Sequence, residues 1–242
     1  MNNTVVSLQV KQDLIQQFVP FHKQFPLFIL QGDAVNNYYW EKLYMQFADY
    51  QFALLNEQAT MIGCGHTIPL YWDGAHKHLP EGYDEALKQG FQTKLPNTLC
   101  ALAAVTSPKR KGEGLSYDII RAMKDIAQKK DFSSVLVPVR PTWKQYYPAT
   151  DIHQYARWKR EDGAPFDPWL RVHWRLGGRQ LTEAPKSMHI EGTLEEWTKW
   201  TGMDFPESGQ YVVPGALALV EINKDSNLGI YEDPNVWVKH DI

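Results

Sequence analysis

Cysteine is scarce in this sequence, and long apolar runs are absent. Only two of the 242 residues are cysteine, Cys64 and Cys100, which is too few for a disulfide-stabilised scaffold. We expect both to be small core residues rather than a disulfide or a nucleophile. No apolar run approaches the roughly 18 residues that a membrane-spanning helix requires. The N-terminus also lacks the basic-then-apolar pattern of a secretion signal, so we expect a soluble, cytoplasmic protein without a membrane partner.

An excess of charge of one sign is missing as well. The formal net charge is -3, and the basic residues are scattered except for one short run at 109–111. Because nothing here creates a strong basic field, we expect no nucleic-acid partner. His76 and His78 stand in a polar loop without cysteine partners, so we expect no metal. The stretch GCGH at 63–66 is not a GxSxG nucleophile turn.

One stretch has a clear chemical signature, the segment VTSPKRKGEGLS from Val105 to Ser116. The apolar residues before it predict a buried strand over 99–106, and those after it recur at helical spacing. Two glycines and three cations therefore stand where a strand turns into a helix. The N–H groups at a helix start are unpaired, the helix dipole favours an anion, and glycine lets a ligand approach the backbone. We predict a pyrophosphate site; the alternative is an ordinary basic loop capped by glycine.

Nine residues of this segment are the candidate cofactor-binding residues. They are Val105, Lys109, Arg110, Lys111, Gly112, Glu113, Gly114, Leu115 and Ser116. Glu113 counts against the interpretation because it places a negative charge near the predicted phosphates. The same carboxylate is also compatible with a role in favouring the helix dipole.

The predicted elements begin with helices and continue with strands and helices in alternation. The helix after the segment has a suitable length for a crossover between two parallel strands, 99–106 and 133–139. The order predicts an α+β, or mixed α/β, domain without internal repeats. The remaining predicted elements are helices 11–25, 38–49, 152–161 and 194–200, a partial helix at 83–89, and strands 52–56, 60–70, 169–176, 211–222 and 229–231.

Lys109, Gly112 and Gly114 resemble the acyl-CoA-binding loop of the GNAT superfamily of acyltransferases, usually written Arg/Gln-x-x-Gly-x-Gly/Ala. Lys109 departs from the pattern at a position that contributes mostly its backbone. The element order also resembles the GNAT fold, a central mixed sheet flanked by helices. The resemblance implies acetyl-CoA or another acyl-CoA as co-substrate. It further implies a single domain over 1–242, with a helical segment at about 1–50 and a strand extension at about 205–242.

Aromatic motifs in the second half resemble a narrower GNAT subgroup. This subgroup contains stand-alone bacterial proteins and the GNAT-like loading domains of polyketide synthases of the curacin type. In those loading domains the resemblance implies decarboxylation of malonyl-CoA and transfer of the acyl group to an acyl-carrier-protein thiol. The threonine and histidine implied for decarboxylation match Thr142 and His173. The motifs are PT at 141–142, YP at 147–148, IHQY at 152–155, PFDPWLRVH at 165–173, WTKWTGM at 197–203, PESGQYVVPG at 206–215 and EDPNVW at 232–237.

Three functions remain open from the sequence. The first is transfer of an acetyl or acyl group from CoA to a small amine or to a carrier thiol. The second is a malonyl- or methylmalonyl-CoA decarboxylase, and the third is a non-catalytic acyl-CoA-binding module. A tyrosine often protonates the CoA thiolate in this superfamily. Tyr146 and Tyr147 follow the fifth strand near the expected acyl end, and Tyr147 is our candidate, with a surface or packing aromatic as the alternative.

The predicted strand 169–176 determines what we expect of His173. Alternation puts His173 on one face with Arg171 and Arg175, and a cationic neighbour would lower the pKa of the imidazole. The alternative is a histidine whose ring is satisfied by local hydrogen bonds.

Overall fold

Strands from both halves of the chain form one mixed sheet with helices on both faces, in a computed structural model that describes residues 3–242. The strands are β1 Thr4–Ser7, β2 Gln51–Leu55, β3 Met61–Leu70, β4 Thr98–Thr106, β5 Ser134–Val139, β6 Arg179–Gly192, β7 Gly209–Tyr211, β8 Val220–Asn223 and β9 Leu228–Asp241. The helices are α1 Leu14–His22, α2 Leu27–Gly32, α3 Ala34–Gln46, α4 Tyr83–Gln92, α5 Leu115–Lys129, α6 Ile152–Tyr155, α7 Pro168–Arg175 and α8 Leu194–Thr201.

The strands lie in the order β1-β2-β3-β4-β5-β9-β8-β7, and β6 pairs with β9 outside this path. Only β4 and β5 are parallel to each other, and the other neighbouring strands described are antiparallel. Helix α5 connects the two parallel strands, which confirms the predicted crossover. The last strands therefore belong to the same sheet, because β9 pairs with the central strand β5.

Helix α5 covers one face of the sheet with an apolar stripe. Leu115, Ile119 and Met123 are at most 3% exposed and pack on β4 and β5. Their spacing of four residues places them on one side of a helix, so the pattern that predicted the helix is also the pattern that packs. Helices α1 to α4 cover the opposite face. Cys64 and Cys100 are fully buried, as expected of small core residues, and both are free thiols.

The predicted strand 169–176 is wrong, since these residues form helix α7. Asp167 caps the helix by accepting hydrogen bonds from Trp169 N and Leu170 N at 2.8 and 3.2 Å, and Pro168 occupies the first turn. Leu170 and His173, three residues apart, are both buried. In a segment this short the apolar residues fit both the two-residue period of a strand and the period of a helix. The Asp167 cap and Pro168 in the first turn favour the helix.

Other predicted boundaries also change. The helix predicted at 152–161 ends at Tyr155, and the strand predicted at 211–222 is two strands, β7 and β8. Strand β6 was not predicted, because its sequence is largely polar and its pairing with β9 shifts register between Ala184 and Met188. Strand β9 continues far beyond the predicted 229–231, through Pro234. Within residues 3–242, none of the helices combines the length and the apolarity needed to span a bilayer.

Candidate active site

Strands β4 and β5 separate part-way along their length, and this separation creates the site. They pair only from Thr98 to Cys100 on β4, opposite Ser134 to Leu136 on β5. Beyond Cys100 the two strands no longer pair, although β4 continues to Thr106. The edge of β4 that faces β5 therefore presents unpaired backbone groups to a gap in the middle of the sheet.

A bulge in β4 enlarges this gap. Ala103 pairs with His66 of β3, whereas Ala101 pairs with Thr67, so Leu102 has no partner on β3. A bulge residue is left out of the ladder and its strand bends locally. Leu102 is only partly buried and lines the cavities on both sides of the gap.

The first cavity lies between the gap and helix α5 and has a volume of about 370 Å³; we call it the α5-side cavity. Ile119 and Met123 of α5 form its apolar wall. Ser116, at the start of that helix, brings the predicted phosphate segment to the cavity. Thr142 and His173 also line it, so the structure brings these two predicted residues together with the segment.

The turn before α5 has the geometry of an anion site. Gly112 and Gly114 adopt φ of 87° and 79°, in the left-handed region where a side chain is strained. Among the residues described, the N–H groups of Gly112, Gly114, Leu115 and Ser116 donate no hydrogen bond to a backbone acceptor. These donors sit at the positive end of the α5 dipole.

The charges around this turn are distributed unevenly. Lys109 and Lys111 are exposed and free to approach a phosphate in solution. Glu113, which counted against the phosphate interpretation, forms an ion pair with Arg110 at 2.7 Å. The Arg110 guanidinium therefore offsets the negative charge of the Glu113 carboxylate. Val105 and Leu115 are buried and anchor the strand and the helix on either side of the turn.

The second cavity lies on the opposite face of the sheet, next to helix α3, and has a volume of about 310 Å³; we call it the α3-side cavity. Its walls are largely apolar, and its polar groups include Asn36, Asn37 and Glu41 of α3 and His22 of α1. Burial lowers the pKa of His22 to about 4, so this imidazole is neutral at physiological pH. The two cavities meet at the gap, because both are lined by Phe25, Leu102, Ala103, Pro138 and Arg140.

Arg140 places a cation where the two cavities meet. Its Nε donates to both carboxylate oxygens of Asp233, at 3.0 and 3.1 Å, and its Nη2 donates to Gly215 O at 2.7 Å. Asp233 is completely buried, whereas the Arg140 side chain is 24% exposed. The guanidinium is thus held rigidly from behind, with one side open to the cavities.

His173 lies in a different environment from the one expected. It is 1% exposed on α7, and its Nδ1 lies 2.9 Å from His240 Nε2, while its Nε2 has no hydrogen-bond partner in residues 3–242. The pKa of His173 is lowered to about 3, first by burial and then by His240. Arg171 does not cause this shift, because its guanidinium is turned to the carbonyl oxygens of Pro165 and Phe166.

Tyr147 lines neither cavity. Its ring packs against Tyr155, Trp158 and Phe166, with centroid distances of 5.0 to 6.0 Å. This is the packing alternative considered above, and we give Tyr147 no part in the reaction proposed below.

Three residues that line the cavities were not predicted: Leu102 and Arg140 at the gap, and Glu41 of the α3-side cavity. Arg140 directly follows a buried valine-rich strand, which is the one local signal that could have indicated it. The bulge at Leu102 depends on pairing with β3, and Glu41 reaches the cavity only through the packing of α3. Neither feature has a signature in the surrounding residues.

Comparison with known proteins identifies the family. The chain is 31% identical to arginine N-acetyltransferase avaD of Aspergillus versicolor over 255 residues, covering 92% of this chain and 87% of that protein. Its fold is similar to the loading GNATL domain of CurA from Lyngbya majuscula, with a TM-score of 0.63 at 15% identity over 100% and 98% of the two chains. The chain belongs to the GNAT superfamily. No protein-family model matches it.

Two further GNAT structures are similar at the level of the fold. One is the GNAT-like decarboxylase GphF in complex with isobutyryl-CoA, with a TM-score of 0.51 at 13% identity over 83% and 82% of the chains. The other is agmatine N-acetyltransferase, with a TM-score of 0.51 at 12% identity over the whole of both chains. The expected GNAT fold is therefore confirmed, and the protein is an acetyltransferase-type enzyme of this superfamily.

Proposed function

We propose that the enzyme transfers an acetyl group from acetyl-CoA to a nitrogen of a small cationic acceptor such as arginine. The observation that carries the proposal is the pair of cavities on opposite faces of the sheet that meet at the β4–β5 gap. One has the features of an acyl-CoA site, and the other has room for an acceptor. The 31% identical relative is named an arginine N-acetyltransferase, which supports the choice of acceptor.

In this proposal acetyl-CoA occupies the α5-side cavity. Its diphosphate accepts hydrogen bonds from the free N–H groups of Gly112, Gly114, Leu115 and Ser116, and Lys109 and Lys111 add long-range attraction. The amide-containing arm of the coenzyme then extends along the unpaired edge of β4 as an added strand would. This path brings the thioester to the junction of the two cavities.

The acceptor occupies the α3-side cavity. Glu41 is exposed at its rim and has no ion-pair partner among residues 3–242, so its carboxylate is available to a cation. The apolar walls accommodate an aliphatic chain, and the side-chain amide of Asn37 adds a further polar group beside Glu41. An acceptor with a cationic end and an aliphatic stem, such as arginine, matches this distribution.

The reaction needs a neutral nitrogen directed at the thioester carbonyl. Holding the two reactants in adjoining cavities supplies orientation, which can contribute several kcal/mol, on the order of 7, toward the barrier. As the nitrogen attacks, negative charge develops on the carbonyl oxygen. The unpaired backbone of Leu102 and the guanidinium of Arg140 are the groups at the junction that can stabilise this charge. The C–S bond then breaks, and the leaving CoA thiolate takes up the proton that the acylated nitrogen loses, so the products are the amide and free CoA.

The test is a two-substrate assay in which the products are identified by mass spectrometry. Arginine, agmatine and lysine are compared with citrulline, which has the shape of arginine but a neutral side chain, and with the thiol N-acetylcysteamine. We expect acetylation of arginine and little or none of citrulline, and fragmentation of the product identifies the acetylated nitrogen. Acetylation of citrulline as efficient as that of arginine, or acetylation of the thiol alone, would contradict the proposal.

A second candidate, decarboxylation of malonyl-CoA, is favoured by the position of Thr142 and His173 in the same α5-side cavity. In this reaction the bond between the malonyl carboxylate and the α-carbon breaks, CO₂ leaves, and the electron pair forms a thioester enolate that is then protonated. The exposed Thr142 hydroxyl and the unpartnered Nε2 of His173 are suitable hydrogen-bonding groups. Incubation with malonyl-CoA alone should yield acetyl-CoA, and Thr142→Val should reduce the yield. Unchanged malonyl-CoA in wild-type enzyme would eliminate this candidate.

A further inference from the structure

Three side chains with metal-binding atoms meet beside the α3-side cavity: His22 of α1, and Cys64 and His66 of β3. One donor atom from each lies within 4.8 Å of the other two, and the two imidazole Nε2 atoms are 2.9 Å apart. Cys64 and His66 are two residues apart on a strand, so both point to the same face of the sheet. Helix α1 covers that face and brings His22 over the pair. We call this group the His22–Cys64–His66 cluster.

A neighbouring side chain fixes the orientation of His66. Gln51 Nε2 donates to the carbonyl oxygens of Phe47 and Thr67, both at 2.8 Å, so Gln51 Oε1 is turned toward His66 Nδ1 at 3.2 Å. Because this oxygen only accepts, Nδ1 carries the hydrogen and Nε2 presents its lone pair to His22. Metal-binding histidines are usually held in this way, with the distal nitrogen donating to an oxygen acceptor.

We propose that the His22–Cys64–His66 cluster binds one zinc ion through the two Nε2 atoms and the Cys64 thiolate. Two imidazoles and a thiolate are a ligand set that zinc prefers. Tetrahedral zinc requires donor separations of about 3.3–3.6 Å, as follows from bonds of about 2.0–2.3 Å. Binding therefore moves the two imidazoles apart by a few tenths of an ångström. Because the three donor atoms lie within 4.8 Å of one another, it also draws the Cys64 sulfur toward the imidazoles by at most about 1.3 Å. His22 supplies the movement of the imidazoles, because it is the last residue of α1 and is only partly buried.

The protons balance in this step. Without metal, His22 Nε2 donates the hydrogen that His66 Nε2 accepts. On zinc binding, the His22 hydrogen is carried on Nδ1 instead, and the Cys64 thiol releases its proton to solvent. Three protein ligands leave a fourth tetrahedral position. Since His22 and the adjacent Trp40 line the α3-side cavity, this position is reached from that cavity and takes a water molecule.

The test uses full-length, tag-free protein freed of metal with a chelator and titrated with Co²⁺, which reports on tetrahedral thiolate sites by visible d–d bands and a near-ultraviolet charge-transfer band. We expect both bands at one equivalent of Co²⁺ and their loss when Zn²⁺ is added. Cys64→Ala should remove the charge-transfer band, and His22→Ala should weaken zinc binding at least about 10-fold. Zinc should also raise the Tm of the wild-type protein and not that of either variant.

Two control variants match these changes. Cys100→Ala removes the other buried cysteine, and a His76→Ala and His78→Ala double variant removes an exposed histidine pair that could bind metal adventitiously. Both controls should bind Co²⁺ as the wild type does. Absence of the charge-transfer band in the wild type, or its persistence in Cys64→Ala, would overturn the proposal. All these readouts are independent of acetyl transfer, so they stand whether or not arginine is the acceptor.

Discussion

The two cavities that meet at the β4–β5 gap are built in opposite ways. The α5-side cavity takes nearly half of its lining residues from β4 and α5, which are joined by the glycine turn. The α3-side cavity is assembled from helices α1 to α4 together with single residues such as Met188 and Asn235. The first has a free row of main-chain donors, and the second has side-chain groups on a largely apolar wall. If acyl-CoA occupies the α5-side cavity and the acceptor the α3-side cavity, as proposed, recognition of a constant cofactor depends on local backbone geometry, and recognition of a variable acceptor depends on tertiary packing.

The strongest test of this arrangement concerns the junction itself. In Arg140→Met the completely buried Asp233 loses its cation, so we expect the free energy of unfolding to fall by about 3–5 kcal/mol. Denaturant titration measures this loss. Combining the change with Asp233→Asn should recover part of the stability, because no unpaired charge is then buried. A loss below about 1 kcal/mol in the single variant would show that Arg140 does not hold the junction together.

A pH titration tests the packing of α3 and α4, two of the helices that contribute to the α3-side cavity. Asp33 caps the start of α3, and Asp84 lies in the first turn of α4. Burial, and then the charge of Asp33, raises the pKa of Asp84 to about 8. The folded protein therefore keeps a proton that the unfolded chain has lost above about pH 4. The free energy of unfolding should fall as pH rises from about 4 to about 8, by at most about 1.4 kcal/mol per pH unit.

Asp84→Asn should flatten this slope, since its amide does not titrate, and denaturant titrations across the pH range measure the difference. Asp225→Asn, in the exposed turn between β8 and β9, should leave the slope as it is in the wild type. An equal slope in wild type and Asp84→Asn would refute the assignment of this pH dependence to Asp84.

The glycine turn offers a matched pair of substitutions. Gly114→Ala places a side chain at φ of 79° and should cost about 1–2 kcal/mol. It should also raise the KM for acetyl-CoA about 10-fold, because the N–H donors are displaced by a fraction of an ångström. The KM for the acceptor should not change.

Gly163→Ala is the control, since Gly163 has φ of 78°, equally open surroundings and a position outside both cavities. Denaturation and steady-state kinetics should therefore show similar losses of stability in the two variants and a change in KM in only one. A raised KM for acetyl-CoA in Gly163→Ala would mean that strain, rather than the donors, affects binding.

The smallest expected effect is at the rim of the α3-side cavity. Because Glu41 is exposed, its attraction for a cationic acceptor is worth less than about 1 kcal/mol. Glu41→Gln should then raise the KM for arginine about 2–5-fold at low ionic strength, and less at high salt. Initial-rate kinetics should show no change in the KM for acetyl-CoA, and Glu57→Gln, in the turn between β2 and β3, should behave as the wild type. An equal effect on both substrates would contradict the division between the cavities.

The difference between local backbone geometry and packing of distant segments also explains which features could be predicted from the sequence. The crossover from β4 to β5 and the glycine turn were predictable, because both depend on spacing and backbone freedom within a few tens of residues. The family resemblance also indicated Thr142 and His173, and both line the α5-side cavity in the structure. Their catalytic roles stay a prediction.

Features that depend on packing between distant segments could not be predicted. The neighbours of His173 follow from α7 folding as a helix, which places it against His240 rather than beside two arginines. His76 and His78 are close in sequence, so they are the pair that a search for metal ligands in the sequence considers, and the lack of cysteine partners argues against a metal there. The His22–Cys64–His66 cluster forms only when α1 packs on β3, so no local pattern indicates it.

The opening through the middle of the sheet also constrains the order of events. In the proposed function donor and acceptor approach from opposite faces, so each can bind while the other is in place. Neither cavity as described in residues 3–242 is lined by a cysteine that could carry the acetyl group. The enzyme should accordingly form a ternary complex before either product departs. Double-reciprocal plots at several acceptor concentrations should intersect rather than run parallel, as they would for a ping-pong enzyme.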